Sequence, residues 1–209
     1  MNASSPSSRS SPMRRFATPL AADALAAIAE CLRAGGVVLM PTDTVYGIAA
    51  HPDRPDALAR LFALKGRDAS KPVPLLADSM ASVLKAGLDA SAAAQRAAAS
   101  FWPGALTLVL DRPDGGTEGV RVPADATACA ICAAAGGLLR CTSANASGEP
   151  PALDAEAAAI ALPEADILVD GGPVDGGVAS TVAQLADTNV RIFRPGPVAE
   201  ADLKACLQD

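Results

Sequence analysis

The sequence predicts an α/β fold, an open twisted mixed sheet with helices packed on it. Three observations carry this: short continuous apolar runs, alanine-rich segments with helical spacing between them, and an irregular alternation of the two. The chain has 209 residues, enough for one well-buried domain. Half of the residues are hydrophobic but only 3% are aromatic, so alanine, leucine and valine must build the core.

Residues 1–15, rich in Ser, Pro and Arg, read as a disordered tail, and 16–209 as one domain. The tail lacks the apolar stretch of a signal peptide. Leu20 to Ala34 carries alanine and leucine at helical spacing and ends at Gly35-Gly36. Val37 to Met40 reads as a buried strand, stopped by Pro41 and followed by a polar loop. Asp56 to Lys65 is helical, Val73 to Ala77 a strand, and two helices fall between Met80 and Phe101. Leu106 to Leu110 is a strand, Asp111 to Glu118 a turn, and Gly119 to Val122 a short strand. Ala124 to Ala135 is helical, Leu138 to Cys141 a strand, Asp154 to Ala161 helical and Ile167 to Val169 a strand. Thr181 to Leu185 and Val190 to Phe193 read as paired strands around Asp187-Thr188-Asn189, and Glu200 to Leu207 as the last helix.

The bulk properties narrow the function. A formal net charge of −6 opposes a protein that grips nucleic acid through its whole surface, since phosphate contacts need cations. Five cysteines at irregular spacing are not a secreted disulfide framework. Cys129 and Cys132 form a CxxC, but inside an alanine-rich run they read as small buried helix residues. No apolar run approaches the length that spans a bilayer, so a cytoplasmic enzyme without a membrane segment is expected.

The polar residues gather in loops that follow apolar strands, where α/β folds hold ligands. They are Pro41 to Gly47, Lys65-Gly66-Arg67 with Lys71, Arg121, Thr142 to Asn145, Ser180-Thr181 and Arg194-Pro195-Gly196. Lys65, Arg67 and Lys71 suit a polyphosphate, because arginine grips oxygens in a fork and lysine supplies a point charge. Each loop also has a plain structural reading: a cation cluster after a helix complements its dipole, and Thr42-Asp43-Thr44 could simply be a turn or cap. No Walker A, GxGxxG or HExxH pattern is present.

In order, the segments are more specific than any one of them. Met40-Pro41-Thr42-Asp43-Thr44-Val45-Tyr46-Gly47, Lys65-Gly66-Arg67 with Lys71-Pro72, and Trp102-Pro103-Gly104-Ala105-Leu106-Thr107 come first. Val120-Arg121-Val122-Pro123 and Ser143-Ala144-Asn145-Ala146-Ser147-Gly148 follow. This series resembles the YrdC/TsaC family of L-threonylcarbamoyladenylate synthases, from about residue 18 onward, in the short form without an extra C-terminal domain. The resemblance implies a YrdC-like fold with a large concave cleft. It implies a nucleotidyltransferase that turns L-threonine, bicarbonate and ATP into threonylcarbamoyl-AMP and pyrophosphate, with Mg2+. It further implies hand-over to the transferase proteins that modify tRNA beside the anticodon, with at most weak contact to tRNA itself. By motif, Thr42, Arg121, the backbone of Cys141, and Ser180 are expected to bind threonine, Arg121 pairing its carboxylate. Lys65, Arg67, Lys71, Thr107, Ser143, Asn145, Pro151 and Arg194 are expected to bind ATP. No covalent nucleophile is expected. Three positions depart from the family pattern: Val73 to Leu76 lacks a histidine, Val178-Ala179 stands where Glu is common, and Ala49 replaces a glycine. The alternative is an RNA-binding or ribosome-assembly factor on the same fold.

Overall fold

The structure is a computed structural model that describes residues 12–186 and 189–207. Its strands are β1 (Arg14–Ala17), β2 (Val37–Met40), β3 (Gly47–Ala50), β4 (Leu75–Ala77), β5 (Leu106–Asp111), β6 (Thr117–Arg121), β7 (Leu138–Ser143), β8 (Ile167–Asp170), β9 (Thr181–Ala186) and β10 (Asn189–Arg194). Its helices are α1 (Ala22–Arg33), α2 (Pro55–Lys65), α3 (Met80–Lys85), α4 (Ala92–Phe101), α5 (Ala126–Ala135), α6 (Ala155–Ala161) and α7 (Glu200–Ala205). The strands form one mixed sheet in the order β1-β8-β2-β3-β7-β4-β6-β5-β9-β10.

The sheet is covered differently along its width. Around β2 and β3, helices pack on both faces. Val38, Met40 and Ala49 meet α1 and α5, while Val37, Leu39, Ile48 and Ala50 meet α2 and α6. That double burial is why Val37 to Met40 is apolar at every position. Farther along, Leu106, Leu108 and Leu110 of β5 pack with α4 and α7. The alternate residues Thr107 and Val109 face an open cavity instead. A sheet clad on both faces at one end and on one face at the other leaves a concave floor.

Local chemistry sets the helix ends. Ser79, Ser91, Asp125 and Asp154 each accept a hydrogen bond from a first-turn amide of the helix that follows. Pro55 opens α2 and Gly66, at φ 57°, closes it in the left-handed conformation that favours glycine.

Several boundaries differ from the sequence reading. The tail was expected to reach residue 15, yet Arg14 and Arg15 already belong to β1, which pairs in parallel with β8. Arg15 forms ion pairs with Glu156 and Asp170 there, a partnership the local sequence does not announce. Residues 1–11 lie outside the described residues. Gly47 to Ala50 was read as loop but is β3, antiparallel to both β2 and β7. The strand was hidden because three of its four residues, Gly47, Ala49 and Ala50, have low β propensity and owe their place to pairing on both sides. β4 starts at Leu75, after Pro74, and β6 starts at Thr117 inside the expected turn. Of the turn at Asp187-Thr188-Asn189, the first two residues lie outside the described residues.

Candidate adenylation cleft

The open side of the sheet holds a cavity of about 450 Å³. Thr42, Arg121, Cys141 and Ser180, expected on the threonine side, all line it, as do Arg67, Thr107, Ser143 and Arg194 from the nucleotide side. Lys65, Lys71, Asn145 and Pro151 are not on its wall. Residues up to 152 positions apart in sequence, from Thr42 to Arg194, therefore meet in one space.

The loop after β2 is knotted by Thr42. Its hydroxyl donates to Val45 O at 2.7 Å and accepts from the amide of Thr44 at 3.2 Å. The turn reading of this loop and its place on the cavity are thus both correct. Tyr46 is fully buried; its hydroxyl donates to Gly172 O at 2.8 Å and accepts from Gly171 N at 3.0 Å. That clamps the segment after β8 onto this loop.

Arg121 lies at the end of β6, 6% exposed, and pairs with Asp43 at 3.0 Å. In the resting cleft the expected carboxylate partner is thus a side chain of the Thr42 loop. Arg194 places Nε and Nη2 on Ser180 O at 3.0 and 2.8 Å, and Nη2 also reaches Ser180 Oγ at 3.1 Å. Ser180 Oγ in turn lies 2.8 Å from Thr107 Oγ1. One short network therefore joins residues expected to bind different substrates. Burial, then the nearby Arg121 and Arg67, depress the pKa of Arg194, although a guanidinium stays charged. Arg67 donates to Pro72 O at 3.0 Å, while its buried Nε has no hydrogen-bond partner among the described residues. An unpaired buried donor beside two other guanidiniums suits an anion.

Lys65 does something else. Only 3% exposed, its Nζ donates to Ser143 O, to Asn145 O at 2.6 Å and to Asn145 Oδ1 at 3.3 Å. Asn145 Nδ2 donates to Ala146 O and Glu149 O at 2.9 and 2.7 Å. These two residues shape the loop after β7 from behind the cleft wall. Burial, then Arg67, bring the Lys65 pKa down to about 8. Lys71 is exposed. The Cys141 thiol is pushed up to about 12 by burial, so it stays protonated and unreactive at neutral pH.

Sequence reasoning missed Glu118 and Arg140. They form a bidentate pair at 2.7 and 2.6 Å, and Arg140 Nη1 also donates to Val73 O at 2.7 Å. The pair spans the entry to β4, where Pro74 offers no amide to the sheet. The signal was a charge inside each of two strands, Glu118 between Thr117 and Gly119 and Arg140 between Leu139 and Cys141. Asp43 was read only as part of a motif. Its role as the Arg121 partner needed the fold.

A mixed open sheet with a cationic cleft on its uncovered face is the YrdC-like class of α/β protein. Residues 30–196 match the Sua5/YciO/YrdC family, described as "Telomere recombination". The threonylcarbamoyl-AMP synthase of Alkalilimnicola ehrlichii is 40% identical over 179 residues, covering 77% of this chain and 90% of that protein. That of Chromohalobacter salexigens is 38% identical over 179 residues, covering 78% and 94%. The crystal structure of P. abyssi Sua5 complexed with L-threonine superposes with a TM-score of 0.85 at 28% identity, covering 95% of this chain and 61% of that one. The chain belongs to the Sua5/YciO/YrdC family of threonylcarbamoyl-AMP synthases.

Proposed function

We propose that this cleft joins L-threonine, bicarbonate and ATP into threonylcarbamoyl-AMP, with the substrates divided along the wall as follows. The observation that carries the reading is the convergence of Arg67, Arg121 and Arg194 with the Thr42 loop on one cavity. Threonine's amine and bicarbonate give a carbamate and water. A carbamate oxygen then attacks the α-phosphorus, and pyrophosphate leaves with the bridging oxygen. No protein nucleophile is needed, so catalysis is positioning plus charge stabilisation. Arg121 receives the threonine carboxylate near Ser180, Thr42 and the Cys141 backbone. Arg67 and Arg194 hold the triphosphate with Thr107 and Ser143, while Lys65 and Asn145 act by holding the loop that carries Ser143.

Glu118, which lines the cavity, and Asp43, which pairs with Arg121 of its wall, are each engaged by an arginine. No group of three or more potential metal-ligating side chains occurs among the described residues. Magnesium therefore enters the proposal as the ion ATP brings, held by phosphate oxygens and water. The product is passed to tRNA-modifying transferase proteins in the cytoplasm. No helix of the described residues is long and apolar enough to cross a membrane.

The test is pyrophosphate release with threonine and bicarbonate omitted in turn. Release should need both, and release indifferent to threonine overturns the reading. Stable tRNA binding that survives Arg67→Ala, with no turnover by the unaltered chain, would favour the RNA-binding alternative.

A further inference from the structure

Phe193 stands apart from the other aromatic residues. The chain has four Phe, one Trp and one Tyr. Tyr46 is in a core cluster, and Phe16, Phe62, Phe101 and Trp102 pack against one. Phe193 packs against none of the three clusters, is 48% exposed, and lines the adenylation cavity. Leu84, Leu153, Ile160 and Val178 are also exposed, but of these large apolar side chains only Phe193 lines the cavity.

The backbone supplies a second, independent observation. Successive side chains of a regular strand point to opposite faces, so Phe193 and Arg194 should not share a cavity. They do. The β9–β10 register passes from Ile192 opposite Ala183 to Arg194 opposite Val182, leaving Phe193 as the extra, unpaired residue of a bulge. Bulges of this kind re-aim a side chain next to a site. Ile192 packs against the core, so alternation already points Phe193 to the cavity face, and the bulge brings the Arg194 guanidinium round to the same wall. Arg191 lies over the ring at 4.6 Å from its centroid and steadies it.

The neighbouring strands give the cavity an apolar strip among polar residues. Val109 of β5 lies opposite Gly119 of β6, and Thr107 lies opposite Val182 of β9. Val109, Gly119 and Val182 all line the cavity. A Cβ at position 119 would come within 3.3 Å of Pro74 and 3.5 Å of Thr107, so glycine keeps this strip low. The guanidiniums mark the part of the cavity that suits an anion, and this strip with Phe193 is an apolar part.

We propose that Phe193, with Val109, Val182 and the strip at Gly119, forms the nucleobase subsite, the ring serving as the platform on which the purine of the nucleotide stacks. The inference rests on the adenylation reading and adds a residue and a subsite to it. Stacking on an aromatic side chain is worth about 1–3 kcal/mol per base and tolerates any base, so this platform supplies affinity rather than a choice between purines.

The test compares ATP with inorganic tripolyphosphate, which has the phosphates but no base. In Phe193→Ala, ATP affinity should fall about tenfold or more, while tripolyphosphate and threonine affinities stay within about twofold of the unaltered chain. Phe193→Trp should retain ATP affinity and show fluorescence quenching by ATP that tripolyphosphate does not produce. Because the ring lies outside the cores, thermal melting should confirm that both variants fold. Equal weakening of ATP and tripolyphosphate, or no weakening of either, overturns the platform while leaving the adenylation reading intact. Failure of the unaltered chain to bind ATP overturns both.

Discussion

At the scale of single residues, charge placement decides what each side chain can do. Arg67 carries a buried, unpaired Nε on the cleft wall, whereas Lys65 is consumed by three acceptors behind it. Arg67→Ala should therefore raise the ATP requirement roughly 10- to 100-fold, the loss of a charge-assisted contact of about 1.5–3 kcal/mol. Initial rates at varied ATP, with threonine saturating, check this. Lys65 predicts a pH effect. Its folded pKa of about 8 lies below the ordinary 10.5, so between these values the unfolded chain binds more protons. Its contribution to stability should thus rise with pH across that window and be flat below it. The melting difference between the unaltered chain and Lys65→Met, measured from pH 7 to 10, should follow that slope. ATP affinity should move the other way, weakening as the ammonium is lost above about pH 8.

At the scale of elements, two devices hold strands and loops in register. The Glu118–Arg140 pair bridges β6 and β7 across the start of β4. Glu118→Gln leaves a largely buried guanidinium without its charge partner and should cost about 3 kcal/mol. For a chain of this size that is a fall in melting temperature of roughly 6–12 °C. Replacing both residues by Met should recover part of the loss. The second device is close backbone contact. A Cβ at Gly176 would sit 2.6 Å from Thr44 O and 2.8 Å from Asp43 O. Gly176→Ala must push the Thr42 loop away, at about 1–3 kcal/mol, and should weaken threonine more than ATP. Calorimetric titration with each ligand separates the two. Elements were legible in the sequence where one face or both faces are steadily apolar, as in α1 and β2. They were illegible where pairing alone makes the strand, as in β1 and β3.

At the scale of the whole molecule, the cleft exists because helices cover both faces of the sheet at β2 and β3 but only one face at β5 and β9. That asymmetry has no local signature. The sequence by itself determined the α/β class, most helix and strand positions, and the ordered loops that mark the family. These follow from hydrophobic period, capping and turn chemistry, which act over a few residues. The tertiary structure alone decided which of those polar residues share the cavity. It sent Arg67, Arg121 and Arg194 to the wall, turned Lys65 and Asn145 to the support of a loop, and gave Arg121 the partner Asp43. It also brought Arg194 to the same wall as Phe193 through a single extra residue in β10. The physical reason is that burial, pairing and register depend on neighbours that the sheet brings together from distant parts of the chain.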